Sequence, residues 1–459
     1  MGINNLLYTV RDTLTANQLA LSVVGANIAN VNTPGYNRQR VDMVAVGDVD
    51  IKGLGAQFGV SVNQISRIYN RYIDSQILQQ QQTTAYSDTL LQSLQNIETI
   101  LDDTNGGGLN EQLDRFWTSW EDLANNPSGK LERNALLSTA ESLAGSIGSY
   151  KRSLDSINTE LHYSIADVVP QINDKIREIA DLTARIVEAG ANTGDINNIL
   201  DKRTIAFQEL GSMVNISYFE SSNGTVSVYL ANGEPLLQGT LAQTLSIVVT
   251  NGRADIYSTN SPDPINDTIT SGRLGAYMEL QHTILPGYID DLNSMTTALA
   301  ARVNALHTSG FDADGNMGQE FFTITNVANP SSSIKVNPVV AADIDRIAAS
   351  ASLLGDGENA TKLAAVRDEF LMDGGKQTLS DFLATMVGEI GRQTANAKTN
   401  SDRQTVVMNY LSNQRESVSG VSIDEEMILM TKYQMGYAAA GKLSGMVNEM
   451  LDILMNIVE

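Results

Sequence analysis

The chain contains no cysteine, which removes disulfides, thiolate metal sites and cysteine nucleophiles together and leaves the redox compartment unspecified. Histidine is almost as scarce. His162, His282 and His307 are dispersed, with no H-E-x-x-H pair and no G-x-S-x-G elbow. Basic residues are outnumbered, 30 Lys plus Arg against 53 Asp plus Glu for a net charge of −23. The average surface therefore repels nucleic-acid phosphates and anionic headgroups, and no nucleic-acid partner is expected. No stretch approaches the roughly 18 uninterrupted apolar residues of a membrane span. The N-terminus lacks a basic region followed by a compact apolar segment and a small-residue cleavage site. Neither membrane insertion nor a cleaved signal peptide is expected.

At 459 residues the chain is long for one core, so two or three domains are the expectation. Its two ends share a pattern. Leu7, Val10, Leu14, Leu21, Val24, Ile28 and Val31 are spaced three and four apart, with Asn17 at the one polar slot, which is a heptad seam. Between Met1 and Asn37 the only charged side chains are Arg11 and Asp12, so the opposite face suits protein neighbours as well as water. The pattern stops at Asn27-Ile28-Ala29-Asn30-Val31-Asn32-Thr33-Pro34-Gly35-Tyr36. Asn and Thr compete for backbone hydrogen bonds, Pro34 disfavours helix at Thr33 and Gly35 permits a turn, placing the helix end near Asn30 or Val31.

At the C-terminus Ile423, Met427, Met430, Tyr433, Tyr437, Ala440, Leu443, Val447, Met450, Leu454 and Ile457 repeat the spacing, and Ser422 with Glu425 reads as a capping box. Ile428, Leu429, Met435, Met446, Leu451, Ile453 and Met455 fall off that stripe, so one partner helix would leave apolar surface wet. Gly441 and Gly445, beside Ala438 to Ala440, would let another backbone approach closely. On pattern alone both ends also suit ordinary core helices; their position at the extremes of the chain argues for pairing.

Between the ends the periodicity predicts helices over 61–103, 110–125, 131–162, 169–189 and 195–213, a bundle by pattern. The GGG at Gly106 to Gly108 and the GLGAQFG at Gly53 to Gly59 read as a loop and a connection. Residues 214–284 alternate with period two around Asn223-Gly224, Asn232-Gly233 and Asn251-Gly252, predicting a small β domain of hairpins. Helix resumes over 286–307, a mixed Gly- and Asp-bearing stretch covers 310–373, and a helix runs from 378 to about 415. The fold class is thus mainly α: a long bundle built from both halves of the chain, paired terminal coiled-coil helices and a small inserted β domain. The expected domains are 1–60 with 410–459, 61–213 with 285–409, and 214–284.

No catalytic, cofactor-binding or metal-binding residue is nominated. In Asp312-Ala313-Asp314-Gly315-Asn316 the glycine comes too early for an EF-hand and Thr323 stands where its bidentate Glu belongs, so the segment reads as a turn. Gly53 to Gly59 spaces its glycines wrongly for a dinucleotide fingerprint. Asp373 to Thr378 lacks the first glycine of a phosphate loop and has Gln377 at its hydroxyl position, which leaves a turn before a helix.

The run SVVGANIANVNTPGYNRQR, Ser22 to Arg40, resembles the N-terminal signature of the flagellar rod/hook axial proteins. The segment from Ser417 to Val458 resembles their C-terminal partner segment. RFWTSWEDLANNPSG, Arg115 to Gly129, and the run from Asp195 to Gly239 are similar to the hook-associated protein 1 family within that group. This resemblance implies a structural protein that polymerises through paired terminal helices lining an inner tube at the junction of hook and filament, with the other domains projecting outward. Implied partners are further copies of itself, the flagellar hook protein, hook-associated protein 3 and a type III export chaperone. The implied location is extracellular, reached without a cleaved signal. On this reading Leu7, Val10, Leu14, Leu21, Val24, Ile28 and Val31 form the N-terminal polymerisation seam, and Asn27, Asn30, Asn32, Thr33, Pro34, Gly35 and Tyr36 the signature turn. Ile423, Met427, Met430, Tyr437, Leu443, Val447, Met450, Leu454 and Ile457 form the C-terminal seam, which also binds the chaperone. The terminal segments are expected to be disordered in the lone chain and unprotected along Met1 to Asn37. The alternatives are a rod or hook subunit, which the long helical middle disfavours, and a secreted axial homologue with an enzymatic insert, for which 214–284 lacks clustered His and Glu.

Overall fold

A computed structural model describes residues 3–46, 59–101, 108–190, 195–250, 252–352 and 355–458. The chain opens with α1 (Ile3–Ala29), then the antiparallel hairpin β1 (Gln39–Val46) and β2 (Gly59–Arg67). Helices α2 (Arg71–Leu101), α3 (Leu109–Asn125), α4 (Lys130–Ala189) and α5 (Asp195–Met213) follow. Strands β3 (Ile216–Glu220), β4 (Val226–Leu230), β5 (Pro235–Gln238) and β6 (Leu241–Ala242) form one antiparallel meander, and β7 (Leu245–Thr250) pairs with β8 (Arg253–Ser258). Helix α6 (Gly272–Glu279) runs through a π turn into α7 (Leu285–Ser309). The short elements β9 (Phe322–Ile324), α8 (Pro330–Ser333), β10 (Ile334–Val336), α9 (Pro338–Ala342) and α10 (Glu358–Ala364) precede the closing helices α11 (Leu379–Ser419) and α12 (Ile423–Val458).

Helix α4 is the spine. Its 60 residues span about 90 Å at the helical rise and serve two cores. The first half packs Leu136, Leu143 and Ile147 against Phe116, Trp117 and Trp120 of α3, against α7, and against Phe321 and Phe322. The second half packs Ile165, Val169, Ile172, Ile176 and Ile179 against α5 and the inner face of the β3–β6 sheet, including Val226, Val228 and Leu237. Buried Arg133 fastens the start of α4 to the 310–373 stretch, donating from Nη1 to the carbonyls of Ile344 (3.1 Å) and Ile347 (2.7 Å) and from Nη2 to that of Pro127 (2.8 Å). The second long pairing is α2 against α11, which closes the bundle from opposite ends of the sequence.

Several expectations are met. Helix α1 ends at Ala29, α5 spans Asp195–Met213 as read, and the 310–373 stretch holds only short elements. The Asn-Gly hairpins form with Gly224, Gly233 and Gly252 at φ of +84°, +88° and +77°, a backbone that glycine adopts without strain. Asp312 Oδ1 accepts the backbone N–H groups of Asp314 (3.0 Å) and Asn316 (2.8 Å), closing the turn from within. The helix read from 378 is α11, and a capping box that was not read, Thr378 with Asp381, starts it.

Others are corrected. Residues 61–67, read as the start of a helix, belong to β2, because Val62 and Ile65 face a helix from within a strand pair. The two helices expected over 131–162 and 169–189 are one: the stripe through Leu161, Ile165, Val168, Val169 and Ile172 is unbroken, and burial on two cores carries the helix through Pro170 despite the lost N–H. Residues 272–284, assigned to the β-rich stretch, are helical. The GGG loop, apart from Gly108, and the Gly53 to Gly59 connection, apart from Gly59, lie outside the described residues.

One buried group makes the first core sensitive to acid. His307 is fully buried beside Trp120 and Phe321. Its Nδ1 donates to the carbonyl of Gln319 and its Nε2 accepts the N–H of Ala348 (2.9 Å), so its partners demand the neutral ring. Burial pulls its pKa down from 6.5 to about 4. A depressed histidine pKa means stability fully present above pH 6.5 and lost as pH falls toward 4, because the unfolded chain takes up the proton first. Between pH 7 and pH 5 the loss is about 2 kcal/mol. Urea unfolding at both pH values should show this difference for the wild type, and a slope smaller by that amount for His307→Gln.

Candidate assembly interface at the paired chain ends

Helices α1 and α12 pack antiparallel. Asn27 meets Glu426 at one end of the pair, and Asn17 lies against Gly436 further along, where an added Cβ would sit 2.7 Å from Asn17 Oδ1. The glycine that brings the helices together is thus Gly436, beside buried Ala440, whereas Gly441 and Gly445 open onto empty space. The β1–β2 hairpin covers α1: Val41, Met43, Val62 and Ile65 pack on Ala20, Val23 and Tyr433.

The helix-stopping signature is wired into this pair. Gly35 holds φ +77° and sits so close to α5 that a Cβ would come within 2.6 Å of Ile205, so the turn needs glycine for both conformation and space. Pro34 and Thr33 are exposed. Asn27, buried, accepts the Tyr36 hydroxyl (2.8 Å) and the Gln39 N–H (3.0 Å) at Oδ1, and donates from Nδ2 to the Gln39 carbonyl (2.9 Å) and to Glu426 Oε2 (3.0 Å). Arg38 donates from Nε to Glu426 Oε1 (2.7 Å) and from Nη1 to Glu425 Oε2 (2.7 Å). Glu425, expected to cap its own helix, instead holds an arginine from the turn.

A second set of charges anchors the turn to the bundle. Buried Asp201 on α5 accepts Asn37 Nδ2 (2.6 Å) and Arg67 Nη1 (2.7 Å). Arg415 on α11 reaches Asn37 Oδ1 (3.4 Å) and faces Asp74 of α2 at 3.4 Å. The Arg38 N–H donates to the carbonyl of Ser419, just before the break at Gly420 that separates α11 from α12. Seven elements, α1, β1, β2, α2, α5, α11 and α12, therefore meet at one polar hub. Burial, aided by the charges of Asp201 and Glu426, pushes the Tyr36 hydroxyl up to about 12. Burial also raises the Asp74 carboxyl, against the pull of Arg415 and Arg67. Tyr36 is thus a neutral donor, and the buried carboxylates depend on their arginines.

Of the N-terminal seam, Val10 and Val24 are buried, and Leu7, Leu14, Leu21, Ile28 and Val31 are half-buried. The tightest line along α1 is Ala16, Ala20, Val23 and Asn27. Of the C-terminal seam, Val447 is buried and Met430 half-buried, while Ile423, Met427, Tyr437, Leu443 and Met450 are exposed, and the side chains of Leu454 and Ile457 lie outside the described ones. The face turned to α1 is Glu426, Leu429, Tyr433, Gly436, Ala440, Val447 and Leu451. Ile428, Met435, Met446, Ile453 and Met455 are exposed as well, so within one molecule α12 has an apolar face with no cover. Among the described residues no helix is long and apolar enough to cross a membrane. Sequence reasoning missed Arg38, Asn37, Arg67, Asp201 and Glu426. For the first two the signal was their place in the signature run; the others were ordinary-looking charges on a strand and two helices.

Comparison with known proteins agrees with this geometry. Residues 94–322 match the family model described as flagellar hook-associated protein FlgK helical domain, and residues 7–37 match that of the flagella basal body rod protein. The chain is 28% identical over 493 aligned positions to flagellar hook-associated protein 1 of Bacillus subtilis, covering 98% of this chain and 97% of the relative. It is 27% identical over 546 positions to that of Salmonella typhimurium, covering 97% and 98%. The solved flagellar hook junction protein FlgK from Burkholderia pseudomallei shares the fold, with a TM-score of 0.68 at 15% identity over 75% of this chain and all of that one.

Proposed function

Because the chain belongs to the flagellar hook-associated protein 1 family, we propose that it is a structural protein of the hook–filament junction that polymerises through α1 and α12. The observation that carries this reading is the uncovered apolar face of α12, running from Ile423 to Met455 on a helix already paired once with α1. A face of that size on a chain of net charge −23 needs protein cover, and a tube of like subunits supplies it. Residues 1–60 and 410–459 then form the inner tube, and the bundle of 61–213 with 285–409 and the β-rich 214–284 project outward from it. In this account Leu7 and Leu14 on α1 and Ile423, Met427, Leu443 and Met450 on α12 meet neighbouring copies, the hook protein on one side and hook-associated protein 3 on the other.

Before assembly the same apolar stretch of α12 suits an export chaperone, and passage through a type III channel places the protein outside the cell without a cleaved signal. The role is mechanical: charged groups gathered at the hub are spent on ion pairs between elements. The rod-subunit reading draws on the match over 7–37, but the helical match over 94–322 favours the hook-associated assignment. Immunogold labelling of isolated flagella tests the proposal. Label confined to a band between hook and filament is the expected result; label along the rod or hook, or none on flagella, would refute it.

A further inference from the structure

An open groove of about 760 Å³ runs between α2 and β3, on the bundle rather than on the terminal pair. Leu78, Gln82 and Ile216 lie along it, with Tyr72 and Phe219, each 70% exposed, at its sides. Strand β3 is one of the two edge strands of its four-stranded sheet. The charged residues of the groove, Arg71 and Glu220, pair with each other at 3.3 Å, and Glu220 is shared with buried Arg203.

The matching feature lies across the α2–α11 pair. Ile73 and Ile77 of α2 pack with Leu411 and Met408 of α11, Gln80 Nε2 donates to Gln404 Oε1 (2.7 Å), and Ser401 Oγ donates to Asp88 Oδ1 (2.6 Å). At 3.6 residues per turn, Tyr72, Ser75 and Gln79 then lie about half a turn from the α11 side of α2, and Val406 and Tyr410 about half a turn from the α2 side of α11. Val406 is 67% and Tyr410 66% exposed, forming a ridge one helical turn long. Ridge and groove therefore stand on opposite faces of one helix pair and at the same height, since Ile73 lies level with Leu411. No residue from Gln404 to Gln414 is charged, in a chain of net charge −23.

We propose that the Val406–Tyr410 ridge of one copy seats in the α2–β3 groove of the next, forming the lateral contact between bundles. A second copy is the occupant that the charges favour. Two negatively charged molecules meet best where one surface is uncharged and the other holds its single carboxylate in ion pairs. Complementary features on opposite faces make a head-to-tail contact, and equal height makes it repeat sideways around an axis, closing a ring or climbing as a shallow helix. The inference rests on the assembly reading above and adds to it a contact outside the terminal helices.

The absence of native cysteine gives a direct test. Phe219→Cys and Val406→Cys are combined, the protein is assembled in a bacterium lacking its own copy, and isolated flagella are treated with copper phenanthroline. In a seated contact the two Cβ atoms come within about 4.5 Å, and a ladder of dimers, trimers and larger species is expected. Each single variant should stay monomeric, as should the double variant as dilute free chain, whose two cysteines are on opposite faces. A double variant that supports filament growth without a ladder overturns the proposal, and dimers from Phe219→Cys alone overturn its head-to-tail sense. Failure of the protein to reach the junction would instead overturn the functional reading, and this contact with it. As a second measure, Val406→Asp with Tyr410→Asp should cut filaments per cell by about tenfold or more with circular dichroism unchanged; full filament number in that variant also refutes the contact.

Discussion

Glu426→Ala should detach the N-terminal half of α12 from the turn that follows α1 while leaving the bundle intact. The carboxylate is 0% exposed and is held by Arg38 Nε at 2.7 Å and Asn27 Nδ2 at 3.0 Å. Removing it leaves the Arg38 Nε–H and one N–H of the buried Asn27 amide without an acceptor, a loss of about 3 kcal/mol or more for a buried pair broken on one side. Arg38 keeps Glu425 at 2.7 Å, but that partner is exposed and replaces little. The expected result is faster hydrogen exchange over residues 20–30 and 423–436 and early proteolysis near Gly420, with exchange in α3 and α4 unchanged. Glu426→Gln, which keeps an acceptor for one partner but loses the charge and turns an amide NH2 toward the other, should fall between. Unchanged exchange around the hub in Glu426→Ala would show that the packing of Ala20, Val23 and Tyr433 holds the ends without it.

Deleting residues 443–459 should have the opposite distribution of effects. The segment carries buried Val447, half-buried Leu451 and exposed Leu443, Met446, Met450, Ile453 and Met455. None of it reaches the two bundle cores built on α4. Unfolding of the bundle should therefore shift by less than about 0.5 kcal/mol, while incorporation at the hook end falls on the order of 100-fold, because several apolar anchors of the proposed interface go at once. A truncated chain that still joins hooks and supports filament growth would remove the outer half of α12 from the interface.

The bundle was legible because its signals are local and consistent. The stripe of α5 and the three Asn-Gly turns each specify their element from within a few residues. The errors occurred where two templates fit one stretch. Val62 and Ile65 satisfy a helical spacing of three as well as they line one side of a bulged strand, and the strand's partner at Gln39–Val46 was not anticipated. Pro170 reads as a boundary by rule, and only burial on two cores shows that the helix absorbs it.

At the chain ends, membership in a paired helix was readable but its phase was not. Helix α12 is apolar on nearly every side, so periodicity cannot choose the face, and the choice is made by small and polar groups. Gly436 and Ala440 let α1 approach, and Glu426 sits where Arg38 and Asn27 wait for it. A charged residue in the seam is invisible to hydrophobic patterning, because its burial is licensed by a partner nearly four hundred positions away in the chain. The hub also changes what is expected of the free protein. Residues 20–37, thought unprotected in the lone chain, have Asp201, Arg415 and Glu426 to hold them, whereas Leu6 to Leu14 and residues 441–458 have a single seam between them.

Hydrogen exchange of α1 and α12 in the free chain and in isolated junctions, compared segment by segment, addresses the central claim that assembly covers what one molecule leaves bare. The account predicts protection near the hub in both states, fast exchange over residues 3–15 and 441–458 in the free chain, and slow exchange there once assembled. Equal protection of those outer segments in both states would contradict it.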